Sequence, residues 1–196
     1  MSISEQGKFI FIKINRCAGS SMQTGIEEHF DDLQEKGHRS IRAFDVDYDK
    51  YFKFCFVRNP WDKMVSFYHF HKRRRFDRLP DNSRPDFKTF ICKSMHDMTF
   101  PMPNGQSTAG MRMSNQTEWL RDAAGEIRMD FIGRFENLHA DYATVCGKLN
   151  IPVTELPHKS KSRHDHYTSY YDDETAAIVA SRFSDDLKIL GYEYGA

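Results

Sequence analysis

The feature that most constrains this fold is a change of period at Arg58. Residues 51–57 read YFKFCFV, an apolar, aromatic-rich run that is typical of a buried strand. Asn59 and Pro60 follow at once and fit the cap and the first position of a helix, and a helical spacing then continues toward His71. Because an arginine between a strand and a helix is a common way to hold an anion, the sequence predicts an anion site at this junction.

A second junction of the same kind lies near the N-terminus. Residues 8–14 read KFIFIKI and predict a mostly buried strand, and residues 15–21, NRCAGSS, are a turn of small residues before another helical spacing. Backbone N–H groups, the helix dipole, the charge of Arg16 and the hydroxyls of Ser20 and Ser21 would together form a phosphate cradle. The Walker A pattern is absent. The alternative is an ordinary strand-to-helix turn in which Ser20 or Ser21 caps the helix.

The rest of the chain continues the alternation of strands and helices. Beyond the two junctions the predicted elements are a first helix that Gly37 ends, a helix over 85–98, a strand over 128–135, a helix over 137–149 and a final helix from Asp172 or Asp173 to Gly191. This alternation predicts a three-layer α/β domain with a mostly parallel central sheet flanked by helices, as one domain over residues 1–196. Ligands bind such sheets at the carboxyl ends of the strands, where both junctions fall.

Composition narrows the class of partner. Lys plus Arg and Asp plus Glu number 28 each, so the formal net charge is zero, which argues against a general nucleic-acid binder. The sequence has no run of 18 apolar residues and a poor match to a signal peptide, so we expect no membrane span and a cytoplasmic protein. It does not indicate an oligomeric state. The four cysteines are scattered, without a CxxC pair.

Ser66 strengthens the prediction at the Arg58 junction. It lies eight residues after Arg58, which is just over two turns of the predicted helix, so its hydroxyl can return toward the end of the strand. An arginine fork and a hydroxyl would then converge on one anion. The alternative is that Arg58 pairs with a carboxylate and Ser66 only packs. Two cradles at neighbouring strand ends suit a nucleotide with two separated phosphates better than one triphosphate.

Both junctions resemble motifs of one family. Residues 9–22, FIFIKINRCAGSSM, resemble the 5′-phosphosulfate loop of the PAPS-dependent sulfotransferases, and residues 54–68, FCFVRNPWDKMVSFY, resemble their 3′-phosphate element. Residues 130–151 and 158–194 are similar to later blocks of the carbohydrate-type group, which has short bacterial members. The resemblance implies a P-loop-like fold, 3′-phosphoadenosine 5′-phosphosulfate (PAPS) as donor, adenosine 3′,5′-bisphosphate (PAP) as product, and a hydroxyl on a carbohydrate or glycoconjugate as acceptor.

The resemblance also implies a role for each matching position. Arg58 and Ser66 would bind the 3′-phosphate, and the loop around Lys161 and Ser162 would close over the donor. The residues that would hold the 5′-phosphosulfate, partly through their backbone, are Arg16, Cys17, Ala18, Gly19, Ser20 and Ser21.

Two positions of the first loop depart from the family pattern. The usual lysine is Arg16, and the position often held by histidine is Lys13. Either cation could stabilise the leaving oxygen, although arginine lacks the point-like charge of an ammonium.

The reaction needs an aligned acceptor, a stabilised leaving phosphate and a base. Positive side chains can replace a metal here, so we expect none. In the resembled group a histidine in a KxxHxxA-like segment is the base, and LQEKGHRSIRAF matches it loosely at His38; the alternative is a surface histidine. His164 and His166 could suggest a metal site, but they lack a convincing third ligand.

Two other functions remain open from the residues alone. A P-loop-like small-molecule kinase would need a Walker lysine, which is missing. A non-catalytic domain that binds nucleotides or nucleic acid could use the basic run at residues 72–75, but the zero net charge counts against it.

Overall fold

The structure, a computed structural model, describes residues 1–35, 37–43, 46–74, 84–96, 113–157 and 164–196. The chain divides into two compact units, each built from two segments. Unit 1 contains Met1–Arg58 and Gln116–Lys161, and unit 2 contains Asn59–Asn115 and Ser162–Ala196. That residues 1–196 act as one domain remains a prediction.

Unit 1 holds a sheet in which four strands share one direction. Its five strands in the described part of the chain are β1 (Ser2–Ser4), β2 (Phe9–Ile12), β3 (Gln34–Glu35), β4 (Phe52–Val57) and β5 (Phe131–Arg134), in the spatial order β3-β1-β2-β4-β5. The pairs β2–β4 and β4–β5 are parallel, whereas β1 is antiparallel to both β2 and β3. The predicted mostly parallel sheet is confirmed, and the short strands β1 and β3 were not predicted.

Aromatic side chains explain why β2 and β4 lie at the centre of this sheet. All of β2 is buried, as is β4 from its second residue onward, which fits apolar runs without alternation. Phe11 and Phe54 are register partners across the two strands, and their rings stack with centroids 4.9 Å apart. Phe30 adds an edge contact to Phe9 at 5.1 Å. This packing fixes the strand ends from which the predicted binding loops leave.

The described residues form six α-helices, shared between the units. Unit 1 contains α1 and α4, and unit 2 contains α2, α3, α5 and α6. Their bounds are α1 Gly19–Glu27, α2 Pro60–Arg74, α3 Phe87–His96, α4 Leu138–Leu149, α5 Asp173–Arg182 and α6 Ser184–Leu190.

Helix α1 is held against α4 at a glycine. The Tyr142 hydroxyl on α4 donates to the Gly25 carbonyl at 3.2 Å, and a Cβ at Gly25 would lie only 2.5 Å from that hydroxyl oxygen. Glycine is therefore required for this close approach. The prediction that Gly37 ends the first helix is wrong, because α1 ends at Glu27 and Gly37 lies in a loop at φ 66°.

Unit 2 packs its helices around a core of buried apolar side chains, largely aromatic. The core includes Trp61, Val65, Phe67, Phe90, Ile91, Val179 and Phe183. The predicted start of α2 is confirmed, because Asn59 Oδ1 accepts the backbone N–H of Trp61 at 3.1 Å and Pro60 is the first helical residue. The predicted single final helix is instead two, since Phe183 leaves helical geometry between α5 and α6; Asp172 caps the first of them.

Candidate functional site

The loop between β2 and α1 has an unusual backbone. Arg16 and Ala18 both have positive φ, at 64° and 58°, in the left-handed region that non-glycine residues seldom adopt. Such conformations cluster at binding sites, where the surrounding structure maintains them. Arg16 and Ala18 lie only two residues apart in the loop that follows the parallel strand β2, which makes this loop a candidate binding site.

The N-terminus of α1 has no side-chain cap. Ala18 is the cap residue and no side chain accepts from the first turn, so the alternative in which Ser20 or Ser21 caps the helix is wrong. Both serines instead lie inside the first turn, Ser20 exposed and Ser21 half-buried. The first N–H groups of a helix have no acceptor within the helix, so this turn offers backbone donors and two hydroxyls to an anion.

The side chain of Lys13 lies so close to Gly19 that only glycine fits at this position. A Cβ at Gly19 would lie 2.5 Å from Cγ of Lys13, so any larger residue would displace the lysine stem. Lys13 is 7% exposed. Its Nζ donates to Glu35 Oε1 at 2.7 Å and to Gln23 Oε1 at 2.5 Å, and Gln23 in turn donates to Glu35 at 2.9 Å. These bonds, first Gln23 and then Lys13, lower the pKa of the Glu35 carboxyl.

His38 is oriented by the same segment. It is exposed, and its Nδ1 lies 2.8 Å from the carbonyl oxygen of Lys13. A carbonyl can only accept, so Nδ1 carries the proton and Nε2 is the basic nitrogen of the neutral ring. The edge of the ring contacts Trp119, with centroids 6.5 Å apart. The role of His38 as the base remains a prediction.

Arg58, which directly follows β4, is held at both its side chain and its backbone. Nη1 donates to the carbonyl oxygen of Arg16 at 3.2 Å, and the guanidinium carbon lies 3.9 Å from the centroid of the Phe135 ring. The residue is 6% exposed. Two cations that were predicted to bind different phosphates therefore belong to adjoining loops of unit 1, joined by a hydrogen bond.

Gln116 is a residue of this site that sequence reasoning missed. It is fully buried, and its carboxamide bonds the backbone of Arg58 twice: Oε1 accepts from the N–H at 2.9 Å and Nε2 donates to the C=O at 2.8 Å. Oε1 also accepts the Cys17 thiol at 3.2 Å. Gln116 begins a 3₁₀ helix of only four residues, Gln116–Trp119, which is too short to give a periodic signal, so nothing in the sequence pointed to it.

Asn15 opens the first loop and has an unusual environment. The residue is 5% exposed, and neither Nδ2 nor Oδ1 has a hydrogen-bond partner among the described residues. Buried polar groups without partners are rare in folded proteins and cost stability. Together with the two left-handed residues, this amide makes residues 15–18 a segment of raised local energy.

The remaining predicted residues lie elsewhere. Ser66 is fully buried on α2 in unit 2, so its convergence with Arg58 of unit 1 remains a prediction. Lys161 and Ser162 lie outside the described residues. No group of three or more His, Cys, Asp or Glu side chains arranged to hold a metal occurs in the part of the chain that the structure describes. Nor is any helix within the described ranges long and apolar enough to cross a membrane.

Comparison with known proteins gives one family. The model of the sulfotransferase family matches residues 2–193. An uncharacterized protein of Archaeoglobus fulgidus is 36% identical over 107 residues, which cover 54% of this chain and 72% of that protein. The crystal structure of a sulfotransferase from Alicyclobacillus acidocaldarius has a TM-score of 0.50 and 12% identity to this chain, and the match covers 95% of this chain and 96% of that one. The predicted α/β fold class is thereby confirmed.

Proposed function

This chain belongs to the sulfotransferase family, and we propose on that premise that it moves a sulfuryl group from PAPS to a hydroxyl of a carbohydrate or glycoconjugate. The observation that carries the donor assignment is the hydrogen bond of 3.2 Å from Arg58 Nη1 to the Arg16 carbonyl. It joins the loop that resembles the 5′-phosphosulfate element to the residue that resembles the 3′-phosphate element. A nucleotide with phosphates at both positions fits such a pair of loops.

The donor would bind through the first loop and the start of α1. The first-turn N–H groups and the hydroxyls of Ser20 and Ser21 would hold the 5′-phosphosulfate, together with the backbone of Cys17, Ala18 and Gly19. Arg58 would hold the 3′-phosphate with a guanidinium already oriented by its neighbours. In this proposal Ser66 adds a hydroxyl to the 3′-phosphate, and Lys161 and Ser162 close over the donor.

His38 would act as the base. Its Nε2 accepts the proton of the acceptor hydroxyl while the oxygen forms a bond to sulfur and the bond from sulfur to the 5′-phosphate oxygen breaks. PAP leaves with both electrons of that bond. The Lys13 carbonyl at 2.8 Å holds the proton on Nδ1, so the imidazolium that forms stays hydrogen-bonded.

Arg16 rather than Lys13 would stabilise the leaving phosphate. The ammonium of Lys13 is paired with Glu35 at 2.7 Å, and this carboxylate offsets its charge. Arg16 is half-buried and lies in the loop itself, three residues before α1 begins at Gly19. A guanidinium in that place can meet the charge that develops on the bridging oxygen.

Calorimetric titration with PAP tests the donor site without an acceptor. We expect binding by the wild type, loss of more than about two orders of magnitude in affinity in Arg58→Ala, and little change in Arg128→Ala. Arg128 is a matched control, since it is an arginine of unit 1 that pairs with Asp122 at 3.0 Å. No binding of PAP, or binding that Arg58→Ala leaves intact, would refute the proposed donor. Stabilisation by ATP that depends on Mg²⁺ would favour a kinase instead.

The acceptor is found by incubating the protein with labelled PAPS and sets of sugars, glycoconjugates, lipids and small alcohols. Transfer to a sugar hydroxyl is expected. Transfer only to a lipid or a simple alcohol would replace the carbohydrate part of the proposal while leaving the donor part in place. We also propose that residues 1–196 act as one domain in the cytoplasm.

A further inference from the structure

The carboxamide of Gln116 matches the backbone of Arg58 at both polar positions. Oε1 accepts the Arg58 N–H at 2.9 Å, and Nε2 donates to the Arg58 C=O at 2.8 Å. This pattern fixes the orientation of the amide, because only the oxygen can accept from an N–H and only the nitrogen can donate to a carbonyl. The pair resembles the mutual hydrogen bonding of two strands, made here by a side chain.

Burial makes these bonds specific. Gln116 is 0% exposed and Arg58 is 6% exposed, so water cannot replace either partner if the amide is removed. The two bonds therefore restrict the direction in which the backbone of Arg58 turns after β4. The direction of the backbone sets the position of the Arg58 Cα–Cβ bond, from which the side chain extends over the ring of Phe135. The centroid of that ring lies 3.9 Å from the guanidinium carbon.

The same amide oxygen reaches the other loop. Cys17, which is 1% exposed and lies between the left-handed residues Arg16 and Ala18, donates its thiol to Oε1 at 3.2 Å. A thiol is a weak donor, so this bond is the smaller of the three. Gln116 thus contacts both predicted phosphate loops, and contacts the Arg58 loop more strongly.

We propose that Gln116 is a positioning residue that aligns Arg58 for a 3′-phosphate, and that it thereby gives the site its preference for nucleotides that carry this phosphate over those with a 5′-phosphate alone. The inference rests on the proposed donor site. It assigns no contact between Gln116 and the nucleotide. Its effect passes through Arg58.

Titrations with PAP and with adenosine 5′-phosphate separate the two phosphates. In Gln116→Met, which keeps the length of the side chain but not its polar atoms, PAP affinity should fall about tenfold, the ratio that corresponds to the net value of one hydrogen bond. Affinity for adenosine 5′-phosphate should change by less than about twofold. Thr117→Val is the matched control, because Thr117 is equally buried in the same short 3₁₀ helix, and it should leave the ratio of the two affinities unchanged.

A double variant tests whether Gln116 acts through Arg58. Once Arg58→Ala is present, adding Gln116→Met should cause no further loss of PAP affinity. A further loss of tenfold or more would show that Gln116 acts by another route, and an equal loss for both nucleotides would show a general effect on folding. Either result overturns the inference.

Two further outcomes keep this inference apart from the proposed function. If the wild type does not bind PAP, the proposed donor has failed. If the wild type binds PAP and Arg58→Ala binds it about two orders of magnitude more weakly, but Gln116→Met binds as the wild type does, only the role of Gln116 has failed. Should Gln116→Met not fold, Gln116→Glu retains the acceptor toward the Arg58 N–H and loses the donor to its C=O. That variant should still lower the affinity for PAP more than that for adenosine 5′-phosphate, and an unchanged ratio would refute the role.

Discussion

Removing the aromatic ring that the Arg58 guanidinium faces should weaken the binding of PAP even though Arg58 itself is unchanged. In Phe135→Leu the guanidinium loses the aromatic face that lies 3.9 Å away, while its hydrogen bond to the Arg16 carbonyl and its charge remain. Phe135 has no predicted contact with the nucleotide. Any loss of affinity therefore measures how much the stacked position of Arg58 contributes to binding.

The size of the loss follows from two estimates. A cation over an aromatic ring contributes about 0.5–1 kcal/mol when exposed and about 2 kcal/mol when desolvated, and Arg58 is 6% exposed. An arginine released from its ring must be ordered again on binding, and its rotamer entropy is about 2 kcal/mol at most. Because leucine still packs beside the stem, we expect about 1–1.5 kcal/mol, which corresponds to a roughly tenfold weaker Kd for PAP.

Calorimetry of the wild type, Phe135→Leu and Phe131→Leu measures this loss. Phe131 is a suitable control because it is another half-buried ring of the same region, in edge contact with Phe56 at 6.5 Å. Phe131→Leu should bind PAP within about twofold of the wild type. The reasoning is refuted if Phe135→Leu also stays within that limit while Arg58→Ala abolishes binding, since the ring would then contribute nothing to the position of the arginine.

Three further predictions concern the base, the leaving group and pH. His38→Ala should lower kcat about 10²–10⁴-fold with an acceptor from the labelled-donor screen while PAP affinity is kept, and near-normal turnover would move the role to another residue. Arg16→Ala should lower kcat about 10²–10³-fold, but Lys13→Met should act mainly on stability; the opposite pattern in kcat would assign the leaving oxygen to Lys13. Burial lowers the pKa of His69 in the folded protein. When the pH falls below the ordinary histidine pKa, the unfolded chain therefore binds more protons than the folded one, and the free energy of unfolding should fall as pH drops from neutral toward 5. The difference in Tm between pH 7.5 and pH 5.5 should shrink in His69→Gln but not in His139→Gln on the exposed surface of α4, and an unchanged difference in His69→Gln would contradict this assignment.

The parts of the fold that could be predicted are those with a local signal. The apolar runs of β2 and β4 are long and unbroken, and Asn59 and Pro60 mark the start of α2 by chemistry that acts within three residues. Strands β1 and β3 have three and two residues, and they exist because a neighbouring strand pairs with them. Pairing between segments that are distant in sequence leaves no local pattern to find.

The candidate site divides in the same way. The first loop and Arg58 were found because both sit at a change of period and match motifs of a family. The pair of Lys13 with Glu35 and the contacts of Gln116 could not be predicted, since each joins residues far apart in sequence. The absence of a side-chain cap on α1 also escaped prediction, because a serine near a helix start looks the same whether it caps or not.

The pair of Gln116 and Arg58 has a consequence for chain topology. Arg58 is the last residue of the first segment of unit 1 and Gln116 is the first residue of the second, so their hydrogen bonds join the two ends of an intervening segment of 57 residues, Asn59–Asn115. During synthesis, the backbone of Arg58 cannot gain this partner until the whole intervening segment has been made.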